Sequence, residues 1–269
     1  MRSFTGANVV VTGAAGGLGA AMVEVFLAAG ARVAALDRNA QGLQALQRRS
    51  STALLTLPCD VTDAQACAQA MQQVQAQWGG VDVLVNNAGI VHRSAFGQTQ
   101  VEVIRRVMEV NFFGAVNCTH AALPSLRARS GLIITISSVA GFAPLIGRSG
   151  YAASKHALHG LFDSLRTEVQ DDGVGVLLVC PSFIDTGIDQ AALGGDGQSA
   201  ARTRSTTGGQ ARPEDAARAI VAAATGSRHL LLMGRTAWLA WWLSRIWPKR
   251  YARIMKQRLQ SEIAPQENA

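Results

Sequence analysis

The chain has 269 residues, 48% of them hydrophobic, so it can bury a large core and suits one large α/β domain. Its net charge is +7, but residues 228–269 carry +6 of this total and the preceding body is nearly neutral. This charge distribution argues against a nucleic-acid-binding face. The scattered cysteines and the lack of a signal-peptide pattern favour a reduced, cytoplasmic protein. The five histidines lack the spacing of a metal site.

The first predicted element is a strand, because Val9 to Val11 form an apolar run that a glycine-rich turn and a helical pattern follow. Further strand-like runs lie between helical stretches, at residues 32–37, 53–57, 81–85, 131–136, 174–179 and 229–233. Their continuous hydrophobicity indicates strands buried on both faces, hence a parallel sheet between two helical layers. The prediction is one doubly wound, Rossmann-type α/β/α domain over residues 1–235, with ligands at the carboxyl ends of the strands.

The glycine-rich turn, Thr12-Gly-Ala-Ala-Gly-Gly-Leu-Gly19, opens the first helix. Glycines at this position let the backbone approach a pyrophosphate, and the helix N-terminus supplies N–H donors and a positive dipole. The turn therefore predicts a dinucleotide site whose phosphates contact Gly13, Gly17, Leu18 and Gly19.

Asp37 ends the second predicted strand, 18 residues after Gly19. An acidic side chain near this distance accepts hydrogen bonds from the adenosine ribose, and its charge repels a 2′-phosphate. NAD is therefore the favoured cofactor. Arg38 keeps NADP open, because a guanidinium at this position can pair with the 2′-phosphate.

Tyr151 and Lys155 lie four residues apart in a predicted helix and so project from one face. A nearby cation favours the phenolate and moves the pKa of a tyrosine from about 10 toward the range where general acid–base catalysis works at neutral pH. Ser138 ends the fifth strand 13 residues earlier and can approach the phenol, whereas strand alternation points Ser137 the opposite way.

Together, these motifs make the chain similar to members of the short-chain dehydrogenase/reductase family, from residue 7 to about residue 235. The matching segments are the Thr12–Gly19 turn, Asp60-Val61, Asn86-Asn-Ala-Gly89, Asn111, Ser138 and Tyr151-x-x-x-Lys155. The resemblance implies that the cofactor is held by Asp60 and Val61 at the adenine, by Asn87, Ala88 and Gly89, and by Pro181 and Thr186 near the nicotinamide. One departure is Ser182, which stands where the family has glycine.

The resemblance also implies an oxidoreductase that interconverts a secondary alcohol and a ketone. Tyr151 would be the acid–base, Ser138 would bind the substrate oxygen, and Lys155 would keep the phenol acidic and bind the nicotinamide ribose. Asn111 would hold a water that connects Lys155 to solvent. Family habit favours a homodimer or homotetramer. A non-catalytic NAD-binding regulator is the alternative class, but it would tolerate the loss of these side chains.

Three segments are expected to surround the substrate: residues 91–97, residues 139–149 and a glycine-rich lid at about residues 183–209 that orders on substrate binding. Their apolar side chains favour a steroid-, lipid- or aromatic-type alcohol or ketone. These are Phe96, Phe142, Leu145, Ile146, Phe183, Ile184 and Ile188. Alternatively, His92, Arg93 and Arg148 bind a carboxylate, which keeps an oxo- or hydroxyacyl substrate open.

The C-terminal extension, residues 236–269, combines four of the five tryptophans, at positions 238, 241, 242 and 247, with a run of basic residues. Its apolar stretch has only 12 residues and contains Arg245, too short and too charged to span a bilayer. Two interpretations remain. The extension, through residues 236–258, contacts the inner face of a membrane, or it packs on a partner subunit and covers that subunit's active site.

Overall fold

The computed structural model describes residues 1–49, 53–188, 191–200 and 210–263. Within them one sheet has seven parallel strands in the order β3-β2-β1-β4-β5-β6-β7. The strands are β1 Asn8–Thr12, β2 Arg32–Asp37, β3 Leu54–Pro58, β4 Val83–Asn86, β5 Leu132–Ile136, β6 Gly175–Pro181 and β7 Leu230–Met233. The strand order reverses between β1 and β4, so the predicted doubly wound fold is confirmed, and its ligand-binding crevice lies beyond these two strands.

The described residues form nine helices, six of which cover the two faces of the sheet. They are α1 Gly17–Ala28, α2 Ala40–Arg49, α3 Ala64–Trp78, α4 Val101–Met108, α5 Gly114–Ala128, α6 Ser149–Glu168, α7 Pro213–Ala224, α8 Arg235–Ile246 and α9 Pro248–Ile263. Side chains of α1, α2 and α7 pack with one face, and those of α3, α5 and α6 with the other. Val9 and Val11 enter the first core while Val10 enters the second, which explains the unbroken apolar run.

Two short helical segments interrupt the regular pattern near the crevice. A π-helical turn, Glu109–Phe113, joins α4 to α5, and a 3₁₀ turn, Val139–Gly141, follows β5. π-turns inside helices are rare and occur frequently at functional sites. The turn at Glu109–Phe113 carries Asn111 into the protein interior, where it is 1% exposed.

The expected lid lies only partly in the described part of the chain, because residues 189–190 and 201–209 fall outside it. Its described pieces are tied to neighbouring loops. The Leu193 N–H donates to the carbonyl of Val91 at 2.9 Å, and the Ala211 N–H donates to the carbonyl of Phe183 at 2.8 Å.

The C-terminal extension packs on the body of its own chain. Ala240 of α8 and Tyr251 of α9 are buried together with Ala143, and the Arg245 guanidinium lies 5.8 Å from the centroid of the Phe142 ring. Neither sequence-based interpretation placed the extension there, and residues 264–269 of it lie outside the described residues. Across the described helices, none combines the length and the apolarity needed to cross a membrane.

Candidate active site

The glycine-rich turn is packed so closely that larger residues do not fit. A Cβ at Gly19 would overlap the carbonyl oxygen of Gly13, and a Cβ at Gly17 would lie 2.9 Å from Thr186. Gly17 also has a φ of +54°, a left-handed conformation that favours glycine. The turn therefore requires glycine at these positions, and Gly13, Gly16, Gly17 and Leu18 at the N-terminus of α1 line the cavity described below.

Hydrogen bonds between Thr12 and Asn87 join the ends of β1 and β4 beside this turn. The Thr12 hydroxyl oxygen accepts from the backbone N–H groups of Asn87 and Ala88, each at 3.0 Å, and donates to the carbonyl of Val85 at 3.2 Å. The Asn87 amide returns a bond to the Thr12 carbonyl at 2.9 Å. These bonds hold the floor of the crevice in one geometry.

The Asp37 carboxylate is anchored to the same turn. One oxygen accepts from the Ala15 N–H at 2.9 Å, and the other accepts from the Asn39 N–H at 2.9 Å. The end of β2 thus presents a fixed negative charge to the crevice.

At the end of β3, Asp60 accepts from the backbone N–H and the hydroxyl of Thr62, at 2.9 and 2.8 Å. The pKa of the Asp60 carboxyl is lowered, chiefly because the Thr62 N–H donates to it, and the nearby charge of Arg38 adds to the effect. Val61 is buried and packs against the start of α5, where a Cβ at Gly114 would approach it within 2.6 Å.

Lys155 and Tyr151 share one face of α6, as predicted. The Lys155 ammonium donates to the Ile136 carbonyl at 2.8 Å and lies 5.8 Å from the centroid of the Tyr151 ring. Lys155 is only 5% exposed, and this burial lowers the pKa of its ammonium from 10.5 to about 8. A buried cation beside a phenol favours the phenolate.

The two serines after β5 make different contacts, in line with the expected alternation. The Ser138 oxygen accepts from the Ala140 N–H at 3.2 Å and caps the 3₁₀ turn. The Ser137 hydroxyl instead donates to the Lys155 carbonyl at 3.3 Å and lies 3.0 Å from Nε2 of His159. Ser137 therefore ties the end of β5 to α6 through Lys155 and His159, a role that the sequence pattern did not reveal.

Asn111 connects the segment after β4 to α6. Its Oδ1 accepts from the Ile90 N–H at 2.8 Å, while its Nδ2 donates to the Ile90 carbonyl and to the Ser154 hydroxyl, each at 2.9 Å. Ser154 in turn donates to the Tyr151 carbonyl at 2.7 Å. The side chain is thus engaged with protein groups and links Ile90 to the helix that carries Tyr151.

One cavity of about 870 Å³ runs from the glycine-rich turn past Ser138 and Tyr151 to the C-terminal helices. Twelve of the predicted site residues line it: Gly13, Gly17, Leu18, Asp37, Asn87, Ala88, Gly89, Ser138, Tyr151, Lys155, Pro181 and Thr186. The other predicted residues do not line this cavity: Gly19, Arg38, Asp60, Val61 and Asn111.

Only some of the loop side chains that were expected around the substrate line this cavity. Leu145, Phe183, Ile184 and Ile188 line the cavity. Phe96 does not, because its side chain is 72% exposed on the surface.

Phe142 packs under α8 beside the His159 ring, and Ile146 is not part of the cavity wall either. The departure at Ser182 causes no backbone strain, since this residue does not adopt a positive φ.

Among the three candidate carboxylate-binding residues, Arg148 lines the cavity, whereas His92 and Arg93 are buried behind it. His92 accepts from the Gly150 N–H at 2.9 Å and so fixes the start of α6. Burial, together with the charge of Arg148, lowers the pKa of His92 to about 4, which keeps the imidazole neutral at physiological pH.

The sequence pattern missed the wall that the C-terminal extension contributes. Leu243, Tyr251 and Met255 line the inner part of the cavity, and Leu239 and Trp242 line it near the surface. The spacing of four residues between 239 and 243, and between 251 and 255, indicates an apolar helix face. It does not indicate that the face closes the chain's own cavity.

A doubly wound sheet with a glycine-rich turn at its switch point defines a class of dinucleotide-binding α/β proteins. A family model described as short chain dehydrogenase matches residues 7–194. The chain belongs to this short-chain dehydrogenase/reductase family and is an NAD(P)-dependent oxidoreductase.

Similar proteins extend the match to nearly the whole chain. The "Dehydrogenase/reductase SDR family member 7B" of Rattus norvegicus is 38% identical over an alignment 267 residues long, which covers 95% of this chain and 82% of the relative. A protein described as SDR family protein 7-like from Anopheles gambiae is 37% identical and covers 96% and 84%. A short chain dehydrogenase from Burkholderia cenocepacia, solved in complex with NADP, has a TM-score of 0.81 at 26% identity and covers 94% and 99%.

Proposed function

We propose that the protein interconverts an apolar secondary alcohol and the corresponding ketone, with Tyr151 as the general acid–base. The observation that carries this proposal is the single cavity that Ser138, Tyr151 and Lys155 share with the glycine-rich turn. The cofactor end and the substrate end are thus continuous, as hydride transfer between two bound molecules requires.

The residues present fit a nicotinamide dinucleotide. Gly13, Gly17 and Leu18 line the cavity at the N-terminus of α1, where the pyrophosphate would bind, and Gly19 packs against Gly13 beneath them. Asp37 would accept from the adenosine ribose, and Asp60 and Val61 would flank the adenine. Asn87, Ala88, Gly89, Pro181 and Thr186 would contact the nicotinamide half. When bound, the nicotinamide supplies or accepts the hydride.

The chain's own side chains handle the proton. In ketone reduction, the Tyr151 phenol donates its proton to the substrate oxygen, and the Ser138 hydroxyl donates a hydrogen bond to the same atom. In alcohol oxidation, the Tyr151 phenolate takes the proton from the alcohol. Lys155 stabilises the phenolate in both directions, and its bond to Ile136 holds the cation in place.

Asn111 is proposed as a positioning residue for this group. Its bonds to Ile90 and Ser154 hold α6 against the loop after β4, and Ser154 contacts the carbonyl of Tyr151. The family resemblance implies a water that connects Lys155 to solvent through Asn111. Such a water would have to bind Asn111 in addition to Ile90 and Ser154.

For the cofactor, we propose NAD. Asp37 supports this choice, because its carboxylate is held at the ribose end of the crevice by Ala15 and Asn39. NADP is the alternative: Arg38 is adjacent, and the Burkholderia relative binds NADP. Comparing kcat/KM for the two cofactors decides between them.

The substrate class is proposed from the lining of the inner cavity. Leu145, Phe183 and Ile188 come from the loops, and Leu243 and Met255 come from the C-terminal helices. Such a lining favours a steroid-, lipid- or aromatic-type molecule. In this proposal residues 1–235 are the catalytic domain, residues 183–209 act as the lid, and the extension supplies one wall.

A second candidate substrate carries a carboxylate, as an oxo- or hydroxyacyl compound does. Arg148 favours it, since this guanidinium is only 4% exposed and lines an otherwise largely apolar cavity. The guanidinium offers a substrate carboxylate a charge-assisted hydrogen bond.

A homodimer or homotetramer is proposed for the assembly, in keeping with the habit of the family. Light scattering coupled to size-exclusion chromatography measures the subunit number directly.

The two tyrosines of the chain provide the experiment for the proposed chemistry, because both line the cavity. Tyr151→Phe should lower kcat by roughly 10²- to 10⁴-fold while NADH binding, followed by fluorescence, is retained. Tyr251→Phe is the matched control and should keep its turnover within a few-fold. The substrates are a panel of secondary alcohols and ketones assayed with NAD and NADP. Unchanged turnover in Tyr151→Phe would refute the acid–base role, and cofactor binding without turnover on any substrate would favour a non-catalytic regulator.

A further inference from the structure

Exposed apolar side chains are concentrated at α8. Of the nine large hydrophobic residues that are exposed in the described part of the chain, five lie on or directly after this helix. They are Trp238, Leu239, Trp242, Ile246 and Trp247, each between 50% and 69% exposed. We call this group the tryptophan patch. Contiguous patches of this kind mark surfaces that contact a partner or a membrane.

The tryptophan patch is also the rim of the substrate cavity. Leu239, Trp242, Ile246 and Trp247 line the cavity, although each residue is at least 50% exposed. Leu243 and Met255, which are partly buried, continue the same wall inward. Apolar side chains of α8 and α9 therefore extend along this wall from the outer surface toward the cavity interior.

The helix that follows the patch carries positive charge. Lys249, Arg250, Arg253 and Lys256 of α9 are exposed, and residues 235–258 contain no acidic side chain. A two-fold contact between two copies of this surface would bring like charges together, which disfavours a second copy as the occupant. An anionic lipid surface complements both features, because tryptophans prefer the membrane interface and each nearby cation is attracted by anionic headgroups.

We propose that the tryptophan patch and the basic residues of α9 dock on an anionic bilayer, and that the substrate is a lipid that enters the cavity laterally from that bilayer. An apolar molecule taken up in this way passes from lipid tails to the apolar rim without crossing water. The proposal rests on the proposed function for what happens to that lipid at Tyr151. The docking and the entry route, however, can be tested without turnover.

Docking can be measured with the chain's own tryptophans. In a Trp78→Phe variant all tryptophan fluorescence comes from residues 238, 241, 242 and 247. Phosphatidylcholine–phosphatidylserine vesicles with bromine atoms on the acyl chains should quench this fluorescence, and phosphatidylcholine vesicles alone should quench it far less. Unquenched fluorescence with both vesicles would overturn the proposal. Light scattering that shows concentration-dependent self-association through the patch would also overturn it, because a second copy of the chain would then cover the patch.

Matched variants separate the patch from the rest of the surface. Trp238→Gln removes a patch residue that does not line the cavity, and it should weaken vesicle co-sedimentation roughly tenfold. Val101→Gln, on a residue that is 55% exposed on α4, should leave binding unchanged. Lys249→Glu should weaken binding to anionic vesicles at least roughly fivefold, whereas Arg106→Glu should not. Equal effects of patch and control variants would contradict a defined docking surface.

Lateral entry is tested with a phosphatidylcholine that carries a photoreactive diazirine on its acyl chain. After docking and illumination, labelled peptides should include the inner wall at Leu243 and Met255 as well as the rim. Labelling confined to the rim, or no labelling, would overturn the entry route. Neither readout depends on catalysis, so failure of the proposed chemistry would appear separately, as absent turnover in a protein that still docks and is labelled.

Discussion

The Lys155 ammonium and the Ile136 carbonyl are joined by a 2.8 Å hydrogen bond that ties α6 to the end of β5. The bond holds the cation, which lies one helical turn after Tyr151, against Ile136, two residues before Ser138 in the chain. The cation is nearly inaccessible to water, and its burial lowers the pKa of Lys155 to about 8. Holding this charge therefore costs stability, and that cost depends on pH in a way that can be measured.

Lys155→Met should remove this pH dependence. Between pH 8 and 10.5 the folded wild type loses the Lys155 proton while the unfolded chain still keeps it, so the unfolded state binds more protons and folding becomes more favourable as pH rises. Relative to Lys155→Met, the wild type should gain up to roughly 3 kcal/mol across this window.

Urea unfolding of both proteins at the two ends of the window measures this difference, and a difference independent of pH would contradict a buried, perturbed lysine. The variant should also lose roughly 10²-fold in kcat, because its phenol has no neighbouring cation.

The local parts of this arrangement could be predicted from the sequence. Helical spacing indicates that Tyr151 and Lys155 share a face, and Ser138 ends the strand that precedes this helix by a short segment, so their common location could be expected. The strands could also be predicted, since runs such as Val9 to Val11 pack against helices on both faces.

Contacts between distant segments could not be predicted in the same way. An apolar helix face on the C-terminal extension is visible in the sequence, but its contact with Ala143 depends on how segments about 100 residues apart pack. The π-turn that buries Asn111 likewise has no periodic signature. Phe96 was expected at the cavity because it is apolar and lies in a loop, yet hydrophobicity does not tell which side of a loop faces the cavity.

Asn111→Ala should destabilise the protein by about 2 to 4 kcal/mol, because it leaves the Ile90 N–H, the Ile90 carbonyl and the Ser154 hydroxyl without their bonds to this side chain. Asn117→Ala is the matched control. This side chain donates one bond to the Val61 carbonyl at 2.9 Å, and its loss should cost about 1 kcal/mol. Urea unfolding with a common slope measures both variants. Equal losses would show that the pair of bonds to Ile90 contributes no more than the single part-buried bond of Asn117.

Asp37→Ser should shift the cofactor preference toward NADP. The substitution removes a fixed negative charge at the ribose end and leaves Arg38 in place, so the ratio of kcat/KM with NADP to that with NAD should rise at least roughly tenfold. Asp63→Ser is the control: Asp63 caps α3, and serine caps helices equally well, so the ratio should not change. An unaltered ratio in Asp37→Ser would show that this carboxylate does not discriminate between the cofactors.

Arg148→Met distinguishes the two substrate classes. If the substrate carries a carboxylate, losing the charge-assisted bond to this guanidinium should lower kcat/KM for an oxo acid by roughly 10- to 100-fold, while an uncharged ketone of the same length should be unaffected. Arg93→Met is the control, because Arg93 is equally buried in a neighbouring loop but does not line the cavity.

Comparing the oxo acid with the ketone within each variant cancels any loss of folded protein. If Arg148→Met lowers kcat/KM for both substrates by the same factor, the guanidinium supports the loop that precedes α6 and recognises no carboxylate. In that case the apolar lining alone selects the substrate.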